Sequence, residues 1–250
     1  MLTSLLGGRI MAARHGSGPP SVIALHGWSR NSSDWDDVLR GEDALALDLP
    51  GFGNTPVPDE AWGTPEYADA VVAAICNVAA TPFTLVGHSF GGRVAVQIAA
   101  SRPELVAGLV LTGAPLYRHA LTKPPATFRA AKVLYRAGIL SDALMDRMRY
   151  RYGSADYRAA SGVMRTLFVK VINESYDAPI TAICASGVPV FLVWGEHDQE
   201  VPLSVASRIH AAVDGSTLRV VPGANHLLDR ELREELKTAI ADSKAFSARN

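Results

Sequence analysis

Six short apolar runs, at 22–25, 44–47, 83–86, 106–111, 188–193 and 218–221, are each bounded by turn residues and alternate with longer stretches of helical spacing. This alternation is the strongest constraint on the fold. Strands separated by helices join a mainly parallel sheet, and such a sheet must be covered by helices on both faces. The helical stretches place apolar residues three or four positions apart: Tyr67, Val71, Ile75 and Val78; Val94, Ile98 and, less regularly, Leu105; Leu228, Leu232, Leu236 and Ile240. One region breaks the pattern. Residues 116–185 carry helical patterns, many arginines and no good strand. The expected organisation is therefore an α/β core formed by 1–115 and 186–250, interrupted by a helical insertion.

Composition sets the outer limits. A chain of 250 residues, 48% of them hydrophobic, can bury one large core. A formal net charge of −1 argues against the strongly basic footprint of a nucleic-acid binder. No run reaches transmembrane length, so no membrane insertion is expected. The start, MLTSLLGGRIMAARHGSG, is broken by Gly7, Gly8 and Arg9 and does not read as a secretory signal. Cys76 and Cys184 are far apart and lack metal-ligand spacing; their residue type favours buried thiols over a disulfide. A reducing compartment, the cytoplasm, is the expected location.

The stretch TPFTLVGHSFGGRVAVQIAA carries the chemistry. Thr84, Leu85 and Val86 suit a central strand, and Arg93 to Ala100 an Ala-rich helix packed on the sheet. A strand that turns this abruptly into a helix forces the middle residue, Ser89, into a strained conformation with its side chain thrust outward. Gly87 and Gly91 suit the elbow, because neighbouring backbone passes where a Cβ would sit. Ser89 then stands beside a helix N-terminus, which favours the negative charge of an alkoxide or oxyanion.

A serine hydroxyl is a poor nucleophile until a base takes its proton. Among seven histidines, His226 is the candidate base: it lies in VVPGANHLLD, between the last strand and the last helix, at the sheet edge of the elbow. His88 and His197 read as packing or hydrogen-bonding neighbours. His15, His119 and His210 have no comparable context. For the orienting acid, Glu196, Asp198 and Glu200 all follow the strand that ends near Gly195, and spacing does not choose among them. Asp48, at a strand end before Pro50-Gly51, reads as a turn organiser. No GxxxxGK, GxGxxG or HExxH occurs, so neither cofactor nor metal is expected.

Five motifs taken together, HGW at 26–28, DLPGFG at 48–53, GHSFGG around Ser89, WGEHDQEVP around Asp198 and GANH ending at His226, resemble the α/β-hydrolase superfamily, in its small esterase-like branch with a helical lid. They occur in that family's order and span nearly the whole chain. The resemblance implies the α/β-hydrolase fold, a triad in the chain order Ser89, Asp198, His226, and Asp198 as the acid rather than its two neighbours. It also implies that the Trp28 and Phe90 N–H groups form the oxyanion hole. Two preorganised backbone donors are what such a hole requires. Trp28 and Phe90, with Leu227, are then expected at the substrate, and 116–185 as the lid.

Relatives that open epoxides or remove halides carry an aspartate at the elbow, and Ser89 speaks against both. The expected activity is cleavage of a small-molecule ester or thioester through an acyl-enzyme. Two alternatives stand beside it: a carbon–carbon bond hydrolase or lyase using the same triad, and a slow-turnover ligand receptor. The insertion holds eleven Lys or Arg against five acids, a net of +6 that leaves −7 for the rest of the chain. Arg147, Arg149 and Arg151 are the residues expected to flank the pocket mouth and attract an anionic substrate.

Overall fold

A computed structural model describes residues 1–118 and 125–249; His119 and Lys123 lie outside them. Eight strands form one sheet: β1 (Leu2–Leu5), β2 (Ile10–His15), β3 (Val22–Leu25), β4 (Ala44–Asp48), β5 (Phe83–His88), β6 (Val106–Thr112), β7 (Val190–Gly195) and β8 (Thr217–Val221). The order across the sheet is β1-β2-β4-β3-β5-β6-β7-β8. The pairs β1–β2 and β2–β4 are antiparallel, and all others are parallel. All six expected runs are strands, β3 to β8. The β1–β2 hairpin has no counterpart in that pattern, because exposed Leu2 and Leu6 and an alternating β2 leave no continuous apolar run to mark it.

Alternation along the strands divides the core into two layers. Ile23, Leu25, Leu45, Leu47, Leu85, Leu109, Leu111, Leu192 and Trp194 face one side. There they meet helices α1 (Thr64–Ile75), α2 (Phe90–Ser101), α7 (Asp177–Ser186) and α8 (Leu203–Ala212). Val22, Ala24, Ala46, Val86, Val110 and Val193 face the other side, against Trp35 and helix α9 (Arg230–Ser247). Each fully buried Val, Leu or Ile contributes about 1.5–3 kcal/mol, so the parallel strands hold the sheet rigid under the site. Helix α9 starts where Asp229 accepts the Leu232 N–H at 3.0 Å, and it buries Leu232, Leu236 and Ile240. Leu228 precedes that helix but is buried with it, whereas Val78 and Leu105 fall outside α1 and α2.

Between β6 and β7 the chain forms α3 (Ala126–Arg136), α4 (Asp142–Tyr152), α5 (Ala155–Ala159), α6 (Gly162–Val171) and α7. Helices α3 and α4 pack on each other, and α5 packs on α6. Helix α7, which the expected insertion 116–185 takes in, lies instead against α2 and α8 and helps to cover the sheet, its Ile180 and Ile183 buried in the core layer of those helices. The cysteines depart from expectation: both are free and exposed, Cys76 in the turn that ends α1 and Cys184 on α7, where packing rather than residue type sets burial. Among the described residues no helix is long and apolar enough to cross a membrane.

Candidate active site

Ser89 joins β5 directly to α2, and its backbone sits at φ 50°, ψ −112°. A non-glycine residue held there costs on the order of 1–3 kcal/mol, so the surroundings must impose it. They do so through three bonds: Ser89 N–H to the Thr112 carbonyl (3.0 Å), Gly91 N–H to the His26 carbonyl (3.0 Å) and Gly92 N–H to the Ser89 carbonyl (3.0 Å). A Cβ on Gly87 would lie 2.6 Å from Gly92 Cα, and one on Gly91 would collide with the Leu25 carbonyl. Both glycines are there because backbone occupies the space.

His26 builds the facing loop. Buried and uncharged, it donates from Nδ1 to the Gly27 carbonyl at 2.7 Å and accepts the Leu49 N–H on Nε2 at 2.9 Å. Burial holds its pKa below the usual histidine range. The loop carrying Gly27 and Trp28 is thereby clamped between β4 and the elbow. No partner among the described residues takes the Trp28 or Phe90 N–H. Asp48 accepts from Ser32 N–H (2.7 Å) and Asn54 N–H (2.8 Å), the organising role its sequence context indicated.

After β7 the chain turns so that Asp198 Oδ1 accepts the Glu200 and Val201 N–H groups at 3.0 and 2.7 Å. Its Oδ2 is left to face His226 Nδ1 at 2.8 Å. Both side chains are buried. Glu196 instead accepts the Gly223 N–H, and Glu200 approaches the opposite ring nitrogen, Nε2, at 3.5 Å. Gly113 makes room for the imidazole: at φ 57° a Cβ would lie 2.8 Å from His226 Cε1. His88 donates from Nε2 to the His226 carbonyl at 2.9 Å, and burial, with His226 next, pushes its pKa down to about 3. It is a neutral prop for the loop that holds His226. His197 is exposed beside Glu196, and His210 pairs with Ser216.

Ser89 and His226 open onto two adjoining cavities. The larger, about 620 Å³, reaches under the inserted helices and is lined by Trp28, Phe90, Arg93, Tyr157 and Phe168 among others. The smaller, about 250 Å³, runs past Gly27, Ser29, Arg30, His88 and Leu227. Trp28, Asp156 and Glu200 border both. Trp28 packs edge-on against Phe52, Phe90 and, from α6, Phe168. Of the three arginines expected at the mouth, Arg149 lines the larger cavity, while Arg147 and Arg151 do not. Sequence reasoning did not find Phe168, Asp156 or Arg93 at the site. Only Arg93 carried a local signal, its place one helical turn after Ser89.

An open, mostly parallel sheet with a serine elbow after a central strand defines a protein of the α/β-hydrolase architecture. The chain belongs to the alpha/beta hydrolase family, whose model matches residues 22–236. It is similar to an esterase of Mycobacterium tuberculosis, Rv0045c, at 40% identity over 119 residues, 45% of this chain and 40% of that one. The chain spans less than two-thirds of the length of this and the next curated relatives it matches. In fold it resembles an esterase from Exiguobacterium antarcticum (TM-score 0.71, 21% identity, covering 97% of this chain and 98% of that one). It also resembles the meta-cleavage product hydrolase of Pseudomonas fluorescens IP01 (TM-score 0.69, 19% identity, covering 98% and 97%).

Proposed function

We propose that the protein is a serine hydrolase that cleaves a small carboxylic ester or thioester through an acyl-enzyme on Ser89. The observation that carries this reading is the positive-φ elbow at Ser89, which shares its cavities with a buried His226 whose Nδ1 faces Asp198 at 2.8 Å. With Nδ1–H donated to Asp198, His226 Nε2 is the basic nitrogen. It takes the Ser89 proton as Oγ attacks the carbonyl carbon, and the carbonyl oxygen becomes an oxyanion stabilised by the Trp28 and Phe90 N–H groups. The bond to the leaving oxygen or sulfur then breaks, and His226 returns the proton to it. Water, deprotonated by the same nitrogen, releases the acid and regenerates Ser89.

On this reading Trp28, Phe90 and Leu227 contact the substrate, and helices α3 to α6 serve as the lid, with Phe168 resting on Trp28. The two cavities meeting at Ser89 match the two halves of an ester, acyl and leaving group. The test is covalent labelling with an organophosphonate, followed by peptide mass spectrometry. The adduct is expected on Ser89 and absent from Ser89→Ala; an active preparation labelled elsewhere, with Ser89 untouched, overturns the assignment.

A further inference from the structure

Arg93 lies in the first turn of α2, four residues after Ser89, and its N–H reaches the Ser89 carbonyl at 3.3 Å. It lines the larger cavity and not the smaller. Its Nη1 donates to the Val171 carbonyl at 2.7 Å, and its guanidinium carbon lies 5.5 Å from the centre of the Tyr176 ring. Its Nε is buried without a hydrogen-bond partner. Among the described residues no Asp or Glu forms an ion pair with it. Glu174, whose field reaches it, is taken up by Thr64 and Tyr176. Burial pushes its pKa below the usual arginine range. A half-buried cation whose Nε is shut off from water and which has no matched carboxylate is costly to the folded protein, and an incoming anion offsets that cost.

The charges around the cavities are sorted. Arg93, Lys132 and Arg149 border only the larger one; Arg30 borders only the smaller but is paired with Asp34 at 2.6 Å, and Asp156 and Glu200 stand beside His226 where the two meet. An anionic substrate group is therefore repelled at the junction and attracted into the larger chamber.

We propose that Arg93 receives a free carboxylate on the acyl half of the substrate, so that the preferred substrates are half-esters or half-thioesters of short dicarboxylic acids such as succinate or glutarate. The scissile carbonyl sits at Ser89 and the carboxylate at the guanidinium, one helical turn away. This inference rests on the reading of Ser89 as the nucleophile.

The experiment compares the p-nitrophenyl half-ester of glutarate with the neutral pentanoate ester. The wild-type protein is expected to prefer the half-ester. A charge-assisted hydrogen bond is worth about 1.5–3 kcal/mol, so Arg93→Gln should lower the ratio of the two kcat/KM values by about tenfold to a hundredfold, with partial recovery in Arg93→Lys. Equal losses on both esters would reduce Arg93 to a strut beneath α6, and a wild-type preference for the neutral ester also overturns the proposal. Calorimetric binding of glutarate to Ser89→Ala, lost in Ser89→Ala/Arg93→Gln, tests the subsite without turnover. Binding without hydrolysis of either ester keeps the subsite and sinks the hydrolase reading; hydrolysis of the neutral ester without glutarate binding does the reverse.

Discussion

Asp198 and His226 are 28 residues apart in the chain, and the turn after β7 brings Asp198 Oδ2 to 2.8 Å from His226 Nδ1. Glu200, an acid of the same loop, reaches only the other nitrogen and is largely exposed. Asp198→Asn should therefore lower kcat by about four orders of magnitude with the fold intact, because the tautomer and orientation of the imidazole are lost. Glu200→Gln should change kcat by less than about tenfold, as an exposed carboxylate contributes little through water. Steady-state kinetics on an aryl ester, with circular dichroism for the fold, decide the matter. The opposite ranking would mean that the acid is misassigned.

Gly91 has no free space for a methyl group, since the Leu25 carbonyl lies where a Cβ would be built. Gly91→Ala must push α2 away from β3, and overpacking of this kind costs about 1–3 kcal/mol. Urea unfolding should show a lower midpoint, and ester hydrolysis should fall with it because the Ser89 elbow moves. An unchanged midpoint with full activity would show that the elbow yields freely.

His88 gives the fold a pH dependence. Its folded pKa, about 3, lies below the unfolded value near 6.5, so between those limits the unfolded chain binds the extra proton. Its stabilising contribution is complete above about pH 6.5 and is lost progressively as pH falls toward 3, by up to about 1.4 kcal/mol per pH unit. The buried His26, shifted in the same direction, adds to this slope. Denaturant titrations at pH 7 and pH 5 should show the loss, and His88→Gln should flatten it. An equal slope in the variant would assign the acid sensitivity elsewhere.

Residues 116–185 carry a net +6 in sequence and the rest of the chain −7, and Lys132 and Arg149 border the larger cavity. Attraction of an anionic substrate by these groups weakens as salt shortens the Debye length, about 8 Å at physiological strength. Added salt should lower kcat/KM for a carboxylate-bearing ester and leave that of a neutral ester of equal length nearly flat. If both respond alike, the basic helices are solvated surface and nothing more.

The sequence alone determined the parallel half of this protein. Strands β3 to β7 are buried on both faces and appear as short apolar runs; the edge strand β8 still shows as one through Leu218, Val220 and Val221, although Val221 alone is buried, and the Ser89 elbow is legible because its glycines answer to local backbone crowding. Features set by contacts distant in sequence were not legible. The half-exposed β1–β2 hairpin owes its place to pairing with β4, and the exposure of Cys76, just past α1, and of Cys184, on α7, depends on how those helices pack. Glu196, Asp198 and Glu200 are equivalent as a string. The resemblance to the hydrolase superfamily preferred Asp198, and the tertiary structure brings Asp198 alone to His226 Nδ1, because two backbone N–H groups aim its carboxylate. Arg93 and Phe168 line the cavity through contacts that no local pattern records: Arg93 with the Val171 carbonyl and Phe168 with Trp28. Local patterns record what a residue's neighbours in the chain require; which side chains meet across a cavity is decided by the packing of whole elements.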